Sequence, residues 1–302
     1  MKNISYNTLP NTKIQGTNHI INDFGSETAK NIDNSVVKSF GEEWEKFYQF
    51  SDEDINQIGN DYFGFLSQVI INKNTTVLDV GCGTGRWTKY LSSKVATIEA
   101  IDPSKAIFYA DKLLKNVPNV RLSMASTDNI PFDDESFDFV MSVGVLHHIP
   151  DTQKAMIDCV KKVKKGGYFY VYLYYAFDNR GWAFKTIFKI SNLIRKIVSS
   201  LPSGLKKILC DILAFTIYVP LVSLGRFFKF IGLKKIAKKM PLSTYQDKSL
   251  FVMRNDALDR FGTSLEQRFT KIEIAEMMKK AGLSNIDIPD EPIYWAAVGQ
   301  KL

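Results

Sequence analysis

An α/β fold built on a doubly wound, mostly parallel sheet is what this 302-residue chain predicts, and three observations point to it. The apolar run Val77, Leu78 and Val80 ends in glycines at alternate positions, Gly81, Gly83 and Gly85, with a helix-compatible stretch behind them. That is a strand feeding a tight turn and a helix N-terminus, the local geometry in which backbone N–H groups meet a ligand. Ile98-Glu-Ala-Ile-Asp102 then reads as a second strand ending in an acid, about twenty residues beyond the loop. Further on, Ser136-Phe-Asp-Phe-Val-Met-Ser142 and Tyr168–Tyr174, the latter led in by Lys164-Lys-Gly-Gly167, supply two more apolar strands.

The glycine loop excludes two ligand classes. A dinucleotide fingerprint needs glycine at the first, third and sixth positions, and the sixth position from Gly81 is Arg86. A phosphate loop needs a following Gly-Lys-Ser/Thr, which is absent. The embedded Asp79 and the alternate glycines fit a nucleoside-type ligand that carries no pyrophosphate, and the spacing to Asp102 suits a carboxylate reaching ribose hydroxyls.

Val77-Leu-Asp-Val-Gly-Cys-Gly-Thr-Gly85 resembles motif I of the class I S-adenosylmethionine-dependent methyltransferases, and residues 76–174 continue the likeness in order through Ser123–Phe132, Ser136–Ser142 and Leu146-His-His-Ile-Pro150. The resemblance implies a seven-stranded, Rossmann-like sheet with S-adenosyl-L-methionine across the carboxyl ends of its strands. It also implies that Asp79, Gly81, Gly83 and Gly85 shape the methionine end and that Asp102 accepts from both ribose hydroxyls. The acid that the family usually places near adenine is replaced by Ser126, followed by Thr127. Adenine would then meet a hydroxyl, or Asp128 in a shifted register. Val143, at the end of the fourth strand, completes the implied cofactor set.

Methyl transfer from a sulfonium chiefly needs alignment of nucleophile and sulfur, and a base only where the acceptor is protonated. His147 and His148 stand just after the fourth strand, and imidazole suits that role. A purely structural part for the pair, orienting the loop, is the competing reading. Arg254, Asp256, Asp259 and Arg260 form a second polar group, read either as acceptor-binding residues or as surface ion pairs.

Three scattered cysteines, Cys82, Cys159 and Cys210, suit neither a disulfide framework nor a metal site. The polar segment from Met1 to Gly25 lacks an apolar signal core, which predicts a cytoplasmic protein. The net charge of +7 is unevenly spread: Ala176–Leu250 holds fourteen Lys/Arg against three Asp/Glu, and the remainder is slightly acidic. The expected organisation is a mobile tail over 1–30, an N-terminal helical cap over 31–70, the cofactor-binding core over 71–175, a basic helical insertion over 176–250 and a closing helix and hairpin over 251–302. In the cap, Phe40 and Trp44 are the aromatics placed nearest a ligand.

The insertion reads as three helices, one running to Val198, a second over Leu205–Val219 and a third over Lys229–Met240. Its uncharged stretch Ile212–Gly225 is fourteen residues, short of the roughly 20 needed to cross a bilayer. It is read first as a lid with solvated lysines, and second as an interfacial region in contact with anionic membrane at the inner surface. A nucleic-acid patch ranks last. No Asn/Asp-Pro-Pro-Tyr/Phe segment follows the fourth strand, which argues against amino-nitrogen methylation. The expected function is O-methylation of a small-molecule, glycan or lipid-linked acceptor, against two alternatives: an RNA methyltransferase and a cofactor-binding protein without catalysis.

Overall fold

The computed structural model describes residues 4–25, 29–46, 50–67, 69–178, 181–290 and 295–302, without the side chains of 42–46 and 183–185. The chain divides into two compact units, Met1–Arg180 with Leu265–Leu302, and Gly181–Ser264.

The first unit is a nine-stranded sheet. Its strands are β1 (Thr12–Gln15), β2 (Ile20–Asp23), β3 (Thr76–Val80), β4 (Thr97–Ile101), β5 (Val120–Met124), β6 (Phe137–Val143), β7 (Val163–Tyr172), β8 (Leu283–Asp287) and β9 (Ala296–Lys301). They lie in the order β1-β2-β5-β4-β3-β6-β7-β9-β8. From β2 to β7 all neighbours are parallel, and β1, β9 and β8 pair antiparallel at the two edges. Strand order reverses between β3 and β6, which places a crevice at the carboxyl ends of those strands. Their residues are almost all buried on both faces, as a sheet covered by helices requires. Helices α1 (Asn34–Lys46), α2 (Asp52–Phe63), α3 (Arg86–Ser92), α4 (Ile107–Leu113), α5 (Thr152–Lys161) and, later in the chain, α11 (Lys271–Lys280) belong to this unit. Thr270 and Glu273 make the reciprocal capping box that starts α11.

Seven of the nine strands are the expected sheet. The other two correct the reading of residues 1–30 as a mobile tail. β1 and β2 form a hairpin, and β2 pairs parallel with β5 through Ile21, Asn22 and Asp23. The hairpin loop is held by Asp111 of α4. Its buried carboxylate accepts from the backbone N–H groups of Thr17, Asn18 and His19 at 2.6–3.1 Å and lies 2.9 Å from His19 Nδ1. The expected closing hairpin is formed by the strands at 283–287 and 296–301.

The second unit is all helical: α6 (Trp182–Ser199), α7 (Ser203–Leu213), α8 (Val219–Phe230), α9 (Lys234–Lys239) and α10 (Leu250–Gly262). It ends at Ser264, so α10 belongs with the insertion and not with the closing elements. A π turn at Ala214–Tyr218 joins α7 to α8 in one continuous helix, Ser203–Phe230. This corrects the fourteen-residue estimate. The helix has 28 residues and is long and apolar enough to cross a membrane by length and composition. Pro220 lies at the first turn after the π segment, where the hydrogen-bond ladder changes register and a missing N–H is tolerated. The third basic helix is shorter than expected, because Gly232 takes φ +84° and breaks the chain before α9.

Candidate active site

The glycine loop hangs from the end of β3. Gly81 N–H and Cys82 N–H both donate to the Ile101 carbonyl, at 2.8 and 3.0 Å, so the loop turns back over β4. Gly81 takes φ +77°, and a Cβ there would lie 2.6 Å from the Cγ atoms of Val145. Gly85, at φ +80°, caps α3, and a Cβ there would stand tight against Leu114 and Ala110 at 3.0 and 3.1 Å. Gly83 N–H donates to Asp102 Oδ2 at 2.9 Å. The acid at the end of β4 therefore fixes the loop as well as facing the crevice.

Two buried acids stand beside this cradle. Asp79 accepts from Thr88 Oγ1 at 2.6 Å through Oδ2, and its Oδ1 has no hydrogen-bond partner among the described residues. Burial, with a smaller push from Asp102, raises its carboxyl to about 7. Asp102 accepts from Ser104 N–H at 2.8 Å and Ser104 Oγ at 2.6 Å through Oδ1. Burial raises its carboxyl as well, against the opposing hydrogen bonds from Ser104 and Gly83. Each carboxylate oxygen keeps acceptor capacity beyond these bonds.

Ser126 and Thr127 are buried just past β5. Ser126 Oγ donates to Asp128 Oδ1 at 2.8 Å, and Asp128 also accepts from Lys30 and Asn31 N–H. Burial pushes the Asp128 carboxyl up, but the bonds from Asn31, Ser126 and Lys30 outweigh it and hold the group below its usual range. Asp128 thus ties the N-terminal segment to the end of β5. Val143 is buried at the end of β6, followed by Gly144 at φ +78°.

The two histidines differ. His147 is fully buried, with its ring 4.0 Å from that of Tyr174, and neither ring nitrogen has a hydrogen-bond partner among the described residues. Burial first, then His148 and Arg268, hold its pKa well below the ordinary value, so it is neutral. His148 Nδ1 lies 2.7 Å from the Leu265 carbonyl. A carbonyl only accepts, so Nδ1 carries a proton, and in the neutral ring the lone pair then belongs to Nε2. That Nε2 is buried and without a hydrogen-bond partner among the described residues. Phe40 of α1 meets the His148 ring edge-on at 5.0 Å, whereas the Trp44 side chain lies outside the described residues.

A segment that sequence reading missed holds this pair. Residues 265–269 run across the ends of β6 and β7: Gln267 N–H donates to the His147 carbonyl at 2.9 Å, and Phe269 N–H donates to the Tyr174 carbonyl at 2.9 Å. Gln267 Nε2 donates to the Ile149 carbonyl at 2.7 Å. Arg268 pairs with buried Glu266 at 2.7 Å and lies over the rings of Tyr174 and Phe177. Two charges of opposite sign two residues apart in an extended segment share a face. This was the available signal, but nothing local linked it to histidines some 120 residues earlier in the chain.

The four polar residues after the insertion lie on α10, in the helical unit. Arg254 makes two bonds to Asp211 of α7, at 2.9 and 3.0 Å. Asp256 accepts from Tyr218 Oη at 2.9 Å and pairs with Arg260 at 3.4 Å. Asp259 carries Thr263 Oγ1 on its backbone carbonyl. Arg254 thus joins α10 to α7 and Arg260 pairs with Asp256, both as half-buried ion pairs within that unit.

Residues 78–171 match the methyltransferase domain family. Over 95 residues the chain is 33% identical to a phthiotriol/phenolphthiotriol dimycocerosates methyltransferase of Mycobacterium tuberculosis, covering 31% of this chain and 35% of that protein. Over 106 residues it is 32% identical to a demethylmenaquinone methyltransferase of Staphylococcus epidermidis, covering 34% and 44%. The chain thus spans between about a third and a half of the length of these relatives. Among solved structures, the YcgJ protein of Bacillus subtilis superposes with TM-score 0.46 at 16% identity, over 79% of this chain and 70% of that one. The likeness to a methyltransferase domain is thus confined to residues 78–171, about a third of the chain. S-adenosylmethionine is the cofactor that the motif resemblance implies, and the residues present fit that molecule. An unpartnered acid oxygen beside a side-chain-free cradle suits its cationic methionine end, and Asp102 at the end of β4 suits the ribose.

Proposed function

We propose that the protein methylates a small-molecule or lipid-linked acceptor, by direct displacement onto an oxygen. The observation that carries this reading is the state of His148. Its Nδ1–H is anchored on a backbone carbonyl, and its Nε2 lone pair is left for the acceptor proton. Bound S-adenosylmethionine would supply a methyl group on a sulfonium leaving group. Asp79 and the loop from Gly81 to Gly85 hold the methionine end, Asp102 the ribose, and Ser126 with Thr127 border the adenine side. His147, neutral and stacked on Tyr174, packs against the His148 ring at 4.1 Å and supports it without gaining charge. Rings cluster around the pair, with Tyr172 and Tyr174 from β7 and its end and Phe40 from α1. Such a surface favours an apolar or aromatic acceptor over a strongly hydrated one.

Two relatives are named for phthiotriol dimycocerosates and demethylmenaquinone, which supports the acceptor class. We place the protein in the cytoplasm, at the inner face of the membrane when its acceptor is lipid-borne. Nucleic acid is not favoured, since the aromatics near the site sit against one another and against the histidines.

The test is transfer of labelled methyl from S-adenosylmethionine into lipid extract, water-soluble metabolites and RNA. Label in the lipid or metabolite fraction is expected. Label in RNA alone, or cofactor binding with no acceptor labelled, overturns the reading. With an acceptor in hand, His148→Ala should lower kcat about 100-fold with cofactor affinity unchanged. His147→Ala should act mainly through stability. Equal turnover in His148→Ala and wild type would mean the acceptor needs no base.

A further inference from the structure

The helical unit turns its apolar side chains outward. In α6, Trp182, Ile190, Leu193 and Ile197 are all more than half exposed, and their spacing sets them along one side of the helix. In the helix Ser203–Phe230 the buried stripe is Cys210, Ala214, Tyr218, Val222 and Gly225. Away from that stripe, Ile208, Ile212, Phe215, Leu224 and Phe227 are exposed. An exposed leucine alone means nothing, but contiguous apolar stripes on two helices mark an interaction surface.

The charge says which kind of surface. Gly181–Ser264 contains fifteen Lys/Arg and four Asp/Glu. Three of the four acids are already matched: Asp211 by Arg254, Asp247 by Lys229, and Asp256 by Arg260 and Tyr218. In α9, Lys234, Lys235, Lys238 and Lys239 are exposed with no acid in the helix, and Leu233 and Ile236 beside them are exposed as well. Apolar stripes flanked by uncompensated lysines match an anionic bilayer surface, where acyl chains take the one and headgroups the other. A helix crossing the bilayer does not suit the same stripe. Its inner side is bound to α10 through Asp211–Arg254 and Tyr218–Asp256, and spanning would carry those charges into hydrocarbon.

We propose that the outward faces of α6 and of the helix Ser203–Phe230, together with α9, form a docking surface for anionic membrane, with the helices lying in the interfacial plane. The docking stands apart from catalysis and is tested without an acceptor. Purified full-length protein is mixed with phosphatidylcholine vesicles with or without about one-third phosphatidylglycerol, and the bound fraction is read by flotation. Binding to the anionic vesicles at low salt, and little to the neutral ones, is expected. Replacing the four α9 lysines with Gln should cut the partition coefficient about tenfold or more. Ile190→Ser with Leu193→Ser should cut it comparably. Both variants change exposed side chains, so their circular dichroism should match wild type.

Protein that stays with the solute on anionic vesicles overturns the proposal. So does binding lost with the lysines but untouched by the serine variant, which would mark a general polyanion surface. Resistance to alkaline carbonate extraction would show a spanning helix instead. A tight dimer in ultracentrifugation that the serine variant dissociates would show that a second copy covers the face.

Discussion

In the α/β unit the large side chains turn inward: Phe132, Phe137, Phe139 and Phe169 are sealed, and the loops above them carry the polar groups of the site. In the helical unit Trp182 and Phe230 are 81% and 88% exposed, while Arg195 and Gln246 are buried. Arg195 donates to the Thr263 and Ser264 carbonyls, both at 2.8 Å, and so closes the end of α10. Gln246 donates to the Ala237 carbonyl at 2.9 Å, packed where a side chain at Gly225 would stand. One unit is a rigid mount for a small polar ligand. The other is held by directed polar bonds and leaves its apolar surface outward. Rigidity in the first comes from burial of apolar area, and specificity in the second from charged and amide groups.

Substitutions should separate the two modes. The largest effect is expected at Gly81→Val. A branched side chain at φ +77° against Val145 should abolish cofactor binding in calorimetry. Retained affinity would mean that the loop is not the cradle. Asp102→Ala should weaken S-adenosylmethionine by roughly 2 kcal/mol, because the ribose loses a charged acceptor. Asp102→Asn separates that loss from the loop-fixing bond to Gly83, which an amide oxygen can still accept.

Next comes a pH effect. The Asp79 carboxyl is raised from 3.8 to about 7 in the folded protein. Between those values the native state binds more protons than the unfolded one, so this group's contribution to stability falls as pH rises through the window. Asp79→Asn should therefore flatten the decline of Tm toward neutral pH. It should also remove the proton release that accompanies cofactor binding near pH 7 in buffers of different ionisation enthalpy. An unchanged pH profile would mean that Asp79 is already ionised. The smallest effect belongs to the helical unit. Arg254→Ala breaks a partly exposed pair and should lower stability by no more than about 1 kcal/mol, confined to the melting transition of that unit. A shift of the whole melting curve would show the two units unfolding together.

The sheet from β3 to β7 was readable because each strand is a short apolar run punctuated by glycine or an acid. The residues proposed for the cofactor follow from the same motif order and await the binding measurements above. Asp128 and Ser126 were visible as residues but not as a hydrogen-bonded clasp, because their partners Lys30 and Asn31 lie almost a hundred positions away. β1 and β2 were missed for a similar reason. Thr12-Lys-Ile-Gln15 is polar and four residues long, and it is held by β2, which β5 and Asp111 in turn fix, rather than by its own pattern. The continuity of Ser203–Phe230 was hidden by Pro220, which ordinarily ends a helix and here falls at the start of one that a π turn has re-registered.

The antiparallel pairing of β9 with β7 has a consequence for synthesis. β7 is complete at Tyr172, but the strand that covers its free edge begins at Ala296. A ribosome adding about 5–20 residues per second leaves that edge bare for several seconds while the helical unit emerges. During that interval Phe169 and Val171 sit in a strand with unpaired N–H and C=O groups, a template for another nascent chain. Co-translational chaperone capture should therefore peak on chains arrested within the insertion and fall once residue 301 has left the exit tunnel.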